Sequence, residues 1–435
     1  MNVALNRVRT AAETDIIEGF RALEDTLPGG PSVHDDRRRR MALFEREGLP
    51  HRRIEAFKYT DLRSFMRELP PLADAPDESV EADGVDVPLP LLENAHQIVM
   101  VDGFVISGTE NLPVGVKVIP FADALDSGAI KLSGDDHPSS AVEAFNAAFA
   151  RDGFALTFEG TVETPLELVF QRSSAATQSH ARVAVALSED ARAKIIERHI
   201  SPDGVEAQST VATRYTAGKG AKLDAMRIQK DGDAAYHLGE IALDIGEDAE
   251  VKLLHIVSGA RMMRCETRAR FVGENARFDV AGISMTADRQ HADLTLYVDH
   301  LVPNCESTET FKSVIDDHAK AIFQGKIVVA PDAQKTDAQM AVDSLLLSDR
   351  ADMIAKPELE IFADDVSCAH GATCGDIDEE LMFYLLARGV PPEGARKLLL
   401  QAFLSEGAEL FEDHAFEDIA FAEVEAWLSA DVARS

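Results

Sequence analysis

The chain has 435 residues, 46% of them hydrophobic, and a formal charge of −33 at pH 7. That length and apolar content support two or three packed domains and exclude wholesale disorder. The charge excludes sequence-independent nucleic-acid binding and docking on anionic membranes, both of which need clustered Lys and Arg, and it favours basic partners. Four cysteines (Cys265, Cys305, Cys368 and Cys374) are too few for a disulfide framework. Met1 to Thr14 shows no apolar leader, and no run approaches the ~20 apolar residues of a membrane span. The expectation is a cytoplasmic chain whose thiols are reduced and available to metal or sulfur.

In chain order, the first predicted element is a helix. Val8, Ala12, Ile16, Phe20, Leu23 and Leu27 recur at three- and four-residue steps, and Pro28-Gly29-Gly30-Pro31 breaks the run. A second helix passes through Met41 and Phe44 and stops at Gly48-Leu49-Pro50. The Arg37 to Arg40 run offers a basic docking site, but a solvated helix face is the preferred reading. Residues 70–90, rich in Pro, Asp and Ala, read as a linker.

From about residue 154 the period changes to short alternating runs separated by Gly, Asp and Asn turns. Ala191, Ala221, Ala249, Ala276, Ala292 and Ala319 each follow such a turn, at spacings of 30, 28, 27, 16 and 27 residues. Repeats of this length with no helix between the strands predict a β-solenoid, with a small residue at each turn so that rungs approach closely. An antiparallel sandwich is the alternative. Beyond residue 376 the helical period returns. Asp378 is the predicted cap, Leu381, Leu385 and Leu386 form a stripe, Gly389 is the stop, and Pro391-Pro392 opens a further helix. A last amphipathic segment carries Ile419, Val424, Trp427 and Leu428. These helices are expected to cap the end of the solenoid.

The densest chemistry lies in Ala363 to Gly375, where Cys368 and His370 stand two residues apart and so share one face of an extended strand. Thiolate and imidazole suit iron, zinc and iron–sulfur species, with Asp364 and Asp365 as possible oxygen donors. A closed structural site needs four ligands. The residues alone therefore leave open a packed loop, or a site completed by another subunit. Cys265 reads as a core thiol, Cys305 as an exposed one, and His291, His300 and His318 as ordinary histidines. Gly218-Lys219-Gly220 and Gly325-Lys326 lack the remainder of a phosphate loop, and neither a Rossmann nor a nucleophile-elbow motif is present.

The string Gly325 to Val329, Ala333 to Ala338, Leu345 to Ser348 and Lys356 to Ile361, running into Ala363 to Gly375, Phe383-Tyr384-Leu385 and Arg388-Gly389-Val390, resembles the SufB/SufD family of iron–sulfur cluster assembly scaffolds. Gly48-Leu49-Pro50 with Glu55 to Thr60 is similar to its SufD branch. The resemblance implies a mainly β protein: a right-handed parallel β-helix over 91–375, between a helical domain and linker over 1–90 and a helical domain over 376–435. It implies a non-catalytic scaffold that works with a SufB-like subunit and a SufC-like ABC ATPase, which supplies the hydrolysis and the nucleotide site. His370 and Cys368 then contribute to a transient site for iron or a nascent cluster shared with SufB, and Phe383, Tyr384, Arg388, Leu399 and Phe403 face the ATPase. Cys374 departs from the aliphatic residue usual in the family. The competing readings are a secreted-type carbohydrate-active β-helix enzyme and a homodimer acting alone as an iron carrier.

Overall fold

The computed structural model describes residues 9–76, 87–132, 141–409, 411 and 413–432. Val8 and part of the expected linker lie outside the described residues. The helices are α1 (Ala11–Leu23), α2 (Pro31–Glu47), α3 (Leu62–Phe65), α4 (Phe121–Asp126), α5 (Ala141–Phe149), α6 (Glu379–Ala387), α7 (Pro392–Ser405) and α8 (His414–Val432). The strands are β1 (His96–Val101), β2 (Phe104–Ser107), β3 (Val116–Pro120), β4 (Asp152–Phe158), β5 (Leu166–Gln171), β6 (Gln178–Leu187), β7 (Arg192–Ile200), β8 (Gln208–Ala217), β9 (Lys222–Lys230) and β10 (Tyr236–Ile245). They continue with β11 (Glu250–Val257), β12 (Met262–Phe271), β13 (Arg277–Thr286), β14 (His291–His300), β15 (Glu306–Ile315), β16 (Lys320–Val329), β17 (Asp337–Leu346), β18 (Asp352–Ile361) and β19 (Ser367–Gly375). The strands thus begin well before residue 154.

From β4 onward successive strands alternate between two sheets, each pairing in parallel with the strand two places along the chain. This is a parallel β-solenoid of about eight turns, not a sandwich. The repeat has a local cause. Asp190, Gly220, Asp248, Asn275, Asn304 and Lys335 all take left-handed backbone, which Gly, Asn and Asp tolerate best. The residue after each (Ala191, Ala221, Ala249, Ala276, Cys305 and Thr336) is buried at 0–1% exposure at the start of a rung. Cys305 therefore continues the alanine column, its Sγ 3.5 Å from the carbonyl oxygens of Gly273 and Pro303. This corrects its expected exposure. The odd 16-residue spacing is also resolved: Ala276 precedes β13 in one sheet, whereas Ala292 lies in β14 of the other, so the step is half a rung.

Inward side chains form one apolar core along the solenoid axis, including Phe158, Leu187, Ile241, Phe271, Phe278, Val298 and Val342. A polar cluster is set within it. Tyr215 donates to Glu197 at 2.6 Å, Arg227 donates to the other Glu197 oxygen at 3.0 Å, and Arg227 also meets His237. Buried charges are tolerated because they are paired in this way.

The helices cover the sides of the solenoid. In the N-terminal part, Thr10 and Glu13 form a capping box for α1, and Gly48 ends α2 with a φ of 64°. Arg37 corrects the expected solvated face, since it is fully buried and donates to the carbonyls of Ala147, Ala148 and Pro28. Arg38 keeps to the surface, paired with Glu24 and Asp35. The Glu55 to Thr60 segment docks on the β10–β18 face. Phe57 lies beneath the Arg264 guanidinium at 4.2 Å, and Thr60 bonds His291 at 2.9 Å and also Asp293.

At the C-terminal end, Asp378 caps α6 through the amides of Glu380 and Leu381. Helices α7 and α8 do not cap the solenoid end as expected. Leu400, Leu404, Phe416, Val424 and Trp427 instead pack on Met226, Ile256, Ile283 and Val314, on the outer face of the sheet that contains β9, β11, β13 and β15. Those outward aliphatics make that face a better apolar partner than the narrow end of the coil, so the last rung stays uncovered.

Candidate functional site

The uncovered rung carries Cys368 and His370. β18 and β19 are the terminal strands of their sheets, each hydrogen-bonded on one side only among the described residues. The opposite end of the solenoid is closed differently, by the antiparallel strands β2 and β3. An open parallel edge invites strand addition unless it carries charge or proline. β18 is so protected, by Lys356, Pro357, Glu358 and Glu360. Pro357 falls where an amide would point away from β16, since Asp352 N and Phe362 N are the type that bond inward. β19 reads Ser-Cys-Ala-His-Gly-Ala-Thr-Cys-Gly, with no proline and no acidic, Lys or Arg side chain.

On β19, Cys368, His370, Ala372 and Cys374 share one face, in register with Ala338, Met340, Val342 and Ser344 of β17. The structure therefore places the two predicted ligands together on the inward-looking side of an open strand. His370 and Cys374 are exposed, while Cys368 is half-buried against the core. Burial pushes the Cys368 thiol above its usual range, and the carboxylates of Asp337 and Glu309 add to that rise. A metal ion binding there has to displace a proton. Among the described residues no group of three or more His, Cys, Asp or Glu side chains is gathered to hold a metal ion. Asp365 is engaged with Lys335.

The other predicted groups separate cleanly. Cys265 is fully buried and its thiol is raised by desolvation. His291 and His300 are buried and bonded to Thr60 and to Ser307 (3.0 Å), whereas His318 is exposed. Gly325 has a packing role: a Cβ there would lie 2.6 Å from the Met340 thioether. The cleft of about 580 Å³ between Ser64–Pro70 and β8–β10 contains neither His370 nor Cys368 in its lining.

Beside the open rung stands α6, none of whose residues is buried. Phe383 and Tyr384 are 73% and 55% exposed, with Leu381 and Leu398 at 52% and 50%. Arg388 lies 5.0 Å from the Tyr384 ring centroid. Leu399 is half-buried, and Phe403 turns onto the solenoid, where Lys312 sits 5.0 Å from its ring centroid. Sequence reasoning missed Glu309, a fully buried acid on β15 whose inward position was readable from its alternation with Phe311.

The family model for the SUF system FeS cluster assembly SufBD core domain matches residues 169–403, more than half of the chain. The chain belongs to the SufBD family. The matched span includes every candidate ligand and partner-facing residue named above. The iron-sulfur cluster assembly protein SufD of Escherichia coli is 31% identical over 248 residues, covering 57% of this chain and 58% of that protein. A SufBD family protein of Synechocystis is 27% identical over 381 residues, covering 82% of this chain and 83% of the relative. The chloroplastic protein ABCI7 of Arabidopsis thaliana is 27% identical over 445 residues, covering 96% and 92% respectively. This SufBD chain is accordingly an iron–sulfur cluster assembly protein of SufD type, and the carbohydrate-active alternative is left without support. Among the described residues no helix is long and apolar enough to cross a membrane.

Proposed function

We propose that this chain is the SufD-like, non-catalytic scaffold subunit of a SufBCD-type complex in the cytoplasm. In this reading a SufB-like subunit adds to the β19 edge, and iron or a nascent cluster forms between the two proteins. His370 and Cys368 are the ligands supplied from this side. A SufC-like ATPase engages the apolar surface around Phe383, Tyr384 and Arg388 and supplies the energy. The observation that carries the proposal is an open, uncharged terminal strand bearing an exposed imidazole and a half-buried thiol, with too few ligands around them among the described residues to complete a site. Burying about 20–30 residues on each side is typical of a stable interface, and β19 with α6 provides a contiguous start.

Co-expression with SufB- and SufC-type subunits and affinity capture of this chain tests the reading. Recovery of both partners is the expected result, and a chain that recovers neither removes the proposal. His370→Ala is expected to preserve capture and the melting temperature, because the ring is exposed, while cluster content of the co-purified complex, read by anaerobic absorption, falls at least about tenfold. Without partners, pairing of two β19 edges to give a homodimer is the competing outcome.

A further inference from the structure

Glu309 occupies a place where a carboxyl group is costly. It lies inside the solenoid with no solvent exposure, and neither carboxyl oxygen makes a hydrogen bond of full geometry among the described residues, although the nearby Ser307 hydroxyl favours its ionised form. The Ser307 hydroxyl beside it is engaged with His300 at 3.0 Å. Burial pushes the Glu309 carboxyl up to about 8. An apolar side chain of similar size would be more stable here, and Val280 fills the position one rung earlier. An acid kept at such a cost needs a use.

Its neighbours indicate one. Glu309, Met340 and His370 form a single column through β15, β17 and β19, so the acid stands two rungs (about 10 Å) below the imidazole. In the adjacent column Ser307, Ala338 and Cys368 are stacked, with the methyl of Ala338 on the strand between Ser307 and Cys368. Glu309 is thus a buried acid beneath the open mouth that carries both candidate ligands. Between the acid and the mouth stands the flexible thioether of Met340, packed against Gly325.

We propose that Glu309 is a positioning residue for a divalent transition-metal cation, its carboxylate balancing the charge of an ion held at Cys368 and His370. This rests on the proposed function above and extends it inward by two rungs. The proton leaves Glu309 as the ion arrives, so the acid is neutral in the empty chain and charged in the loaded one.

The test is anaerobic Co²⁺ titration of the complex co-purified with the SufB-type subunit, which completes the shared site, read by the part of the thiolate-to-cobalt absorption band that Cys368→Ala removes. Glu309→Gln is expected to weaken Co²⁺ binding about tenfold or more while raising the melting temperature. Glu309→Asp, which keeps the charge, is expected to retain most of the affinity. Unchanged Co²⁺ affinity in Glu309→Gln overturns the proposal, and so does a lowered melting temperature, which marks the acid as structural. Absence of that part of the band in the unmodified complex also overturns it. If His370→Ala loses the band and Glu309→Gln does not, the inference fails while the shared site survives. Partner capture is unaffected by Glu309→Gln in either case.

Discussion

Buried titratable side chains determine how this molecule responds to pH. Burial holds His180 and His255 down to about 3, and His291 and His300 down to about 4. Each is neutral when folded and takes a proton more readily when unfolded, so its contribution to stability is complete above pH 6.5 and declines as the pH falls from there toward 4. Glu309 and Glu240, both raised to about 8, act in the opposite sense. Their folded forms hold protons that the unfolded chain releases above about pH 4.5, so their destabilising effect grows as the pH rises from 4.5 to 8. Urea midpoints are therefore expected to peak near neutrality, around pH 6.5, and to fall on both sides. A midpoint still rising between pH 6.5 and pH 5 contradicts this balance. Arg37 shows the same cost offset by structure: three carbonyls accept from its guanidinium, so its burial fastens α2 to α5.

At the level of elements, the C-terminal helices divide by what they bury. α7 and α8 press Leu400, Leu404 and Phe416 onto the solenoid, each buried side chain stabilising by about 2 kcal/mol. α7 is also pinned electrostatically: Lys312 reaches Asp343 at 3.0 Å and Glu406 at 2.5 Å. α6 contributes no buried side chain and presents Phe383 and Tyr384 to solvent. An exposed aromatic pair next to an open rung is typical of residues that dominate binding energy. Phe383→Asp is expected to leave the melting temperature within about 1 °C and to eliminate capture of the ATPase partner in the co-expression assay. Full capture by that variant removes α6 from the interface.

For the whole molecule, the solenoid has two unlike ends, closed by antiparallel strands at one and open at the other. On β19 the amide of Ser367 bonds Thr336 O, so amides at 369, 371 and 373 also face β17, and those at 368, 370, 372 and 374 face outward. Ala372→Pro therefore removes an outward donor and leaves the ladder to β17 intact. It is expected to block association with a SufB-like subunit and any homodimer alike, as read by light scattering, with little change in secondary structure. Association at unmodified strength would show that the edge is not used. The charge of −33 adds long-range repulsion between copies of the chain, so homodimerisation is expected to strengthen with salt.

The repeating architecture was legible in the sequence because it is built from local rules. A left-handed turn residue, a small buried residue and strict alternation recur at Asp190-Ala191, Asp248-Ala249 and Asn275-Ala276, and each signal acts within a few positions. The caps at Asp378 and Gly48, and the shared face of Cys368 and His370, follow from the same short-range geometry. The final placement of the helices was not legible, because it depends on which apolar surfaces compete for them. The outer face bearing Met226, Ile256 and Ile283 attracted α7 and α8 away from the coil's end. Arg37 was misjudged for the same reason, since its burial is imposed by α5, whereas Cys305 follows the left-handed Asn304 and obeys the local rule of the other turns. Local stereochemistry wrote the rungs and the shared face of Cys368 and His370 into the chain. Long-range packing alone decided that the last rung stays open.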